Sequence, residues 1–184
     1  MTKRKYIEKI AAMLFMLLLP FCVASAKIPA VMVGVGGLSP YSAMEYVLGV
    51  YGEPAYKTTL GNGEQLFTYG NKVTLYFATE KKLNFVFKGK DEGREDAFLL
   101  RRVDVVDYPP MATPQGVAAG MDEEVLTETY GKPDVSVLTV DDKNCDKRLM
   151  YVGEPTEENE GICFMTFDLK DGKIVKISCY ATRH

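Results

Sequence analysis

Tyr51-Gly52-Glu53-Pro54 and Tyr130-Gly131-Lys132-Pro133 spell the same Tyr-Gly-x-Pro string twice in a chain of 184 residues. The match runs upstream without a gap: Gly37 aligns with Gly116 and Glu45 with Glu124, and the apolar pairs Leu38/Val117 and Val47/Leu126 fall in register. A fixed internal period constrains architecture before any side-chain chemistry does. Each string is also a helix stop, because Gly takes the left-handed position after a helix without a Cβ penalty and a Pro two residues on cannot continue it. Before the first stop, Met44, Val47, Leu48 and Tyr51 recur at i, i+3, i+4 and i+7, one apolar stripe. Before the second, Asp122 is placed to cap Glu123-Glu124-Val125-Leu126, whose carboxylates suit a helix N-terminus. Helices this short do not persist alone and must pack on something.

Segments of period two follow each helix. After the first they are Gln65 to Tyr69, Lys72 to Phe77, Leu83 to Phe87 and Leu99 to Val106; after the second, Arg148 to Val152, Ile162 to Leu169 and Lys173 to Tyr180. Helix then antiparallel strands, written twice, predicts an α+β fold of two tandem repeats, each a short helical segment packed on an antiparallel three- to four-stranded sheet. The repeats span 27–108 and 116–184. Between them Pro109, Pro110 and Pro114 make 109–115 the most breaker-rich stretch, the expected linker. The loops 88–96 and Gly153 to Gly161 read as solvated tips.

Lys170-Asp171-Gly172 fits a three-residue hairpin loop with Gly in the bulge position. The register that follows sets Leu169 opposite Lys173, Phe167 opposite Val175, Met165 opposite Ile177 and Cys163 opposite Cys179. Cys163 and Cys179 are then cross-strand neighbours, either disulfide-bonded or packed as two buried thiols. Cys145 is the odd thiol.

Lys3, Arg4, Lys5 and Lys9 precede an apolar run from Ala11 to Val23 that ends in Ala24-Ser25-Ala26. This is the pattern of a secretory signal peptide over 1–26, with cleavage after Ala26. Phe21 precedes Cys22 where lipoprotein processing wants a small residue, so no stable membrane anchor is expected after cleavage. Losing those four cations and Glu8, a net +3, takes the formal charge from −3 to −6. Such a chain repels nucleic acid, and no nucleic-acid partner is expected. Its compartment, secreted or periplasmic, permits disulfides.

The run from Gly120-Met121-Asp122 through Val125-Leu126 to Tyr130-Gly131-Lys132-Pro133-Asp134 resembles the helical signature of the SmpA/OmlA family, to which BamE belongs. Two such units in one secreted chain look more like the BLIP-like β-lactamase inhibitor proteins. That resemblance implies tandem helix-plus-sheet repeats that bind a protein through a sheet face. It transfers no partner-binding residues.

Catalysis is not expected. The single histidine, His184, is the last residue, and there is no Gly-x-Ser-x-Gly elbow or phosphate loop. No cofactor is implied. The cysteine spacing is not that of a zinc site, and the acidic loops lack the spacing of a calcium loop, so no metal is expected. Strand alternation turns Tyr76, Arg102, Phe164, Lys176 and Tyr180 to the face away from the helices, and aromatics with Arg anchor interfaces. The expected role is a non-catalytic protein-binding module of the bacterial cell envelope that meets an extracytoplasmic protein partner through that face. The alternative is an envelope small-ligand-binding or structural protein with a groove between the repeats.

Overall fold

The computed structural model describes residues 28–29, 32–83, 97–139, 142–154 and 162–182. The signal-peptide reading, the strand reading over 84–87, the loop 88–96 and the tip 155–161 lie outside the described residues. The strands are β1 (Ile28–Pro29), β2 (Tyr56–Thr59), β3 (Gln65–Tyr69), β4 (Val73–Thr79), β5 (Phe98–Val106), β6 (Val135–Leu138), β7 (Lys147–Glu154), β8 (Ile162–Lys170) and β9 (Lys173–Thr182). The helices are α1 (Met44–Tyr51), α2 (Glu80–Leu83) and α3 (Glu123–Tyr130). Leu83, expected to start a strand, ends the helical turn α2.

The strands run in the order β2-β3-β4-β5-β9-β8-β7, and β6 and β1 share the outer edge of β7. Only the β1–β7 pairing is parallel among the described residues, so the sheet is mixed. This overturns the two tandem helix-on-sheet repeats expected from the doubled motif. Helix and strands do recur in order along the chain, but β5 pairs directly with β9, Arg102 to Val106 against Lys176 to Tyr180. Among the described residues, one large nine-stranded sheet with three short helices results. Two separate sheets would each leave the last strand with a row of unpaired amides and carbonyls, and joining these two strands removes both edges.

Beside a small second cluster of Ala78, Leu83 and Leu99, the main core is correspondingly one cluster spanning both halves. Leu75 and Val103 from the first half and Met165, Phe167 and Ile177 from the second share it, and α1 contributes Met44 and Val47, α3 Leu126 and Tyr130. Within the stretch 109–115, expected as a linker, Met111 joins the same core, while Pro109, Pro110 and Pro114 are exposed. Met111 and Thr113 are buried, the Thr113 and Tyr130 hydroxyls stand 2.6 Å apart, and Gly36 N–H donates to the Ala112 carbonyl at 2.8 Å.

Both stops act as the string dictates. Gly52 and Gly131 hold φ of 73° and 71°, and their N–H groups donate to Leu48 and Thr127 carbonyls at 2.9 Å. Asp122 takes the position before α3, but its carboxylate bonds Lys173 Nζ at 2.7 Å and caps no helical amide.

The β8–β9 register differs from the one expected. Asp171 and Gly172 both have positive φ, 50° and 75°, the signature of a two-residue type I′ turn, so Lys170 faces Lys173. A bulge at Val175 then moves the pairing again: Leu169 faces Ile174 and Asp168 faces Lys176. Cys179 consequently faces Met165, and Cys163 faces Ala181. The two cysteines lie diagonally across the pair, about 7–8 Å apart by sheet geometry, beyond the reach of a bridge. The expected disulfide is not formed.

Candidate functional site on the open sheet face

Residues directly opposite in an antiparallel sheet point to the same side. The face away from the core therefore carries transverse rows that can be read from the register. One row runs Leu66, Tyr76, Arg102, Tyr180, Phe164, Val152 across β3, β4, β5, β9, β8 and β7. The next contains Asp104, Ser178 and Thr166, and the third Val106, Lys176, Asp168 and Arg148. All five expected surface residues stand on this face, and four of them are consecutive in one row. Lys176 lies two rows away.

The Arg102 guanidinium sits between two rings, 5.8 Å from the centroids of both Tyr76 and Tyr180. Tyr180 in turn stacks on Phe164, with centroids 5.2 Å apart and an interplanar angle of 16°. Arg101, the bulge residue between β4 and β5, approaches Tyr76 at 6.0 Å and pairs with Glu64 at 2.9 Å. These rings are half-buried.

Beneath the cations lie two carboxylates that are each only 7% exposed, Asp104 and Asp168. Asp104 accepts from Arg102 Nε at 2.8 Å and lies 3.3 Å from Lys176 Nζ. Asp168 takes Arg148 through two nitrogens, the Nη2 bond at 2.8 Å. Burial alone would pull Arg102 down, but the hydrogen bond and charge of Asp104 hold it above its usual value. Arg148 is raised chiefly by its bond to Asp168. Burial raises the Tyr180 hydroxyl, opposed by Arg102 and Arg148. Asp104 and Asp168 therefore hold Arg102 and Arg148 charged and position them and Lys176.

Sequence reasoning missed Asp104, Asp168 and Arg148, although the signal was present. Asp104 is two residues from Arg102 and Asp168 four from Phe164, so the alternation that selected Arg102 and Phe164 places both acids on the same face.

Where β5, β7, β8 and β9 meet the 142–145 segment, a cleft of about 620 Å³ opens beside the third row. Its lining includes Val106, Asp107, Lys143, Arg148, Asp168 and Lys176, drawn from both halves of the chain. Cys145 forms part of the wall, buried beside Thr139 and Asp142, and burial pushes its thiol up, with Asp168 and Asp142 adding to the shift. The described residues contain no cluster of His, Cys, Asp or Glu suited to a metal ion. None of their helices is long and apolar enough to cross a membrane.

No protein-family model matches the chain, and no curated protein matches it. A solved structure to which it is similar is an extracellular protein containing a SCP domain from Bacillus anthracis, at 14% identity and a TM-score of 0.45. The match covers 85% of this chain and 46% of that one, so the chain spans less than half of its length.

Proposed function

We propose that the chain is a non-catalytic protein-binding module of the bacterial cell envelope, secreted or periplasmic, that engages an extracytoplasmic protein through the open sheet face. The observation that carries this reading is the row Tyr76–Arg102–Tyr180–Phe164, aromatic rings and a guanidinium in mutual contact on a sheet face. Tyr and Arg are the residue types that dominate interface energetics. Asp104 and Asp168 hold Arg102, Lys176 and Arg148 in place before any partner arrives, which reduces the ordering cost of docking. The leader-like N-terminus supports the extracytoplasmic setting. Against catalysis by a thiolate, Cys145 and Cys179 are buried and raised by that burial, so little thiolate exists at neutral pH.

Tyr76→Ala and Tyr180→Ala, compared with wild type for affinity to a partner captured from envelope extracts, test the assignment. Each is expected to weaken binding by about 10-fold or more while moving the melting temperature by no more than about 2 °C. Unchanged affinity in both variants would remove the open face from the binding site.

The cleft favours a second reading, a small-ligand role, because it lies in the size range of ligand sites and draws on both halves. Most of its lining residues carry charge, so the ligand would carry polar groups. Thermal-shift screening with polar metabolites separates the readings: a ligand lost in Arg148→Ala and retained in Tyr76→Ala would favour the cleft.

A further inference from the structure

The ion pairs of the open face are polarised, with the cation outside and the acid beneath. Side-chain exposure is 36% for Arg102 and 26% for Lys176 over 9% for Asp104, and 44% for Arg148 over 9% for Asp168. Arg101 over Glu64 follows the same order. The pairs at the start of α3, Lys147 with Glu123 and Lys173 with Asp122, lack this order, and there the acid is the more exposed partner. Building on the protein-binding reading above, we propose that the open face recognises an acidic segment of a protein. Arg102, Arg148 and Lys176 take its carboxylates, and the rings of Tyr76, Tyr180 and Phe164 take its apolar side chains.

The hydrogen-bonding capacity left on this face points to carboxylates. Both oxygens of Glu64, of Asp104 and of Asp168 already lie against a cation. The cations are not used up. A guanidinium has five N–H donors. Arg102 spends Nε on Asp104, and Arg148 spends Nε and Nη2 on Asp168, so both keep donors on their Nη atoms. Lys176 meets one oxygen of Asp104 and has three donors. Within the three rows a partner therefore finds spare donors and no free carboxylate; Asp107 and Asp142 line the cleft beside the third row. A carboxylate is the acceptor that a guanidinium fork fits best.

Charge and apolarity together select a protein segment over a polyanion. The four cations of the polarised pairs against their three carboxylates leave a net +1, on a chain of formal charge −3. So small a charge does not hold a polyanion, whose affinity grows with the number of phosphates neutralised. Short-range donors therefore do the selecting. They are interleaved with rings, since Arg102 stands between Tyr76 and Tyr180 and Phe164 stacks beyond. The complementary surface sets carboxylates beside apolar side chains, which a polypeptide does and polyphosphate does not. A basic segment would meet the outer cations as like charges.

Selection of phage-displayed random peptides of about 12 residues on the immobilised full chain tests the proposal. Extended, such a peptide spans roughly 40 Å, more than the roughly 20 Å across the sheet from β4 to β7. Selected peptides are expected to be rich in Asp and Glu beside aromatic or aliphatic residues and poor in Lys and Arg. The strongest, synthesised, should bind about 10-fold more weakly to Arg102→Gln and to Arg148→Gln, which lose the charge and keep a donor for Asp104 or Asp168. Lys173→Gln, which alters a cation at the start of α3, should bind them as wild type does. Binding is compared below the melting transition of each variant. Peptides without acidic enrichment that are lost in Tyr76→Ala would overturn acidic recognition and leave the face as the binding site. Peptides that bind Tyr76→Ala and Tyr180→Ala as well as wild type would remove the face itself. Recovery of no peptide, or displacement of the peptides by polyphosphate at equal charge concentration, would also overturn the proposal, the latter in favour of a polyanion.

Discussion

Replacing Tyr130 with Phe keeps a ring that is 2% exposed and packs at 5.3 Å from Tyr151 and 5.7 Å from Phe167, and removes only its hydroxyl. That hydroxyl stands 2.6 Å from Thr113 Oγ1 and donates to Gln115 Oε1 at 2.9 Å. Thr113 Oγ1 still receives Val117 N–H at 3.1 Å in the variant, so it is not left wholly unsatisfied. Two hydrogen bonds at about 0.5–1.5 kcal/mol each put the loss at roughly 2 kcal/mol at neutral pH. For a chain of this size that is a fall of about 4–8 °C in melting temperature. Alkaline pH should erase the difference. Burial pushes the Tyr130 hydroxyl from 10.0 up to about 12; the Thr113 bond opposes this and Cys179 adds to it. The folded state favours the neutral phenol, so above about pH 10 the unfolded chain releases this proton first. The stabilisation is complete below pH 10 and is lost as pH rises towards 12, roughly 2–3 kcal/mol over the two units. The Phe variant has no proton to lose. Urea midpoints by far-UV circular dichroism, suited to a chain without Trp, should show the variant weaker at pH 7 and level with wild type by pH 12. Equal midpoints at pH 7, or a deficit that stays constant to pH 12, would refute the reasoning.

Asp104→Ala should cost about 1–3 kcal/mol by urea titration, because Arg102 and Lys176 lose a buried acceptor yet remain partly hydrated. It should also weaken partner binding, since nothing then anchors the guanidinium between Tyr76 and Tyr180. Phe167→Ala, in the core shared by both halves, should destabilise by about 3–5 kcal/mol and leave one calorimetric transition; two resolved transitions would contradict a single core. Reductant should leave the melting temperature unchanged, because Cys163 and Cys179 are not bridged, and a drop of several degrees would place a disulfide in the sheet.

How much of this was legible in the sequence depended on the range of the interaction. The two helix stops and most interior strands were readable, since a Gly at positive φ and an apolar alternation act over a few residues. The face of Tyr76, Arg102, Phe164, Lys176 and Tyr180 was readable for the same reason: alternation alone decides which side of a strand a residue occupies. The edge strands β2 and β6 were missed because they are short and exposed, so neither shows apolar alternation. The Cys163–Cys179 pairing failed on a single choice, a three-residue loop in place of a two-residue turn followed by a bulge at Val175. A hairpin register moves as a block when its turn changes.

Local sequence by itself therefore determined where helices end, which stretches extend, and which side chains share a face, because those outcomes follow from backbone sterics and alternation within one segment. It did not determine how the halves combine. The β5–β9 pairing joins residues 70 to 78 positions apart, and no local pattern distinguishes two closed sheets from one continuous sheet. Tertiary structure decided that by pairing the free edges of two final strands, with Met111 and Thr113 of the 109–115 stretch buried as well. Only that joining sets Arg102 of one half between Tyr76 of its own and Tyr180 of the other.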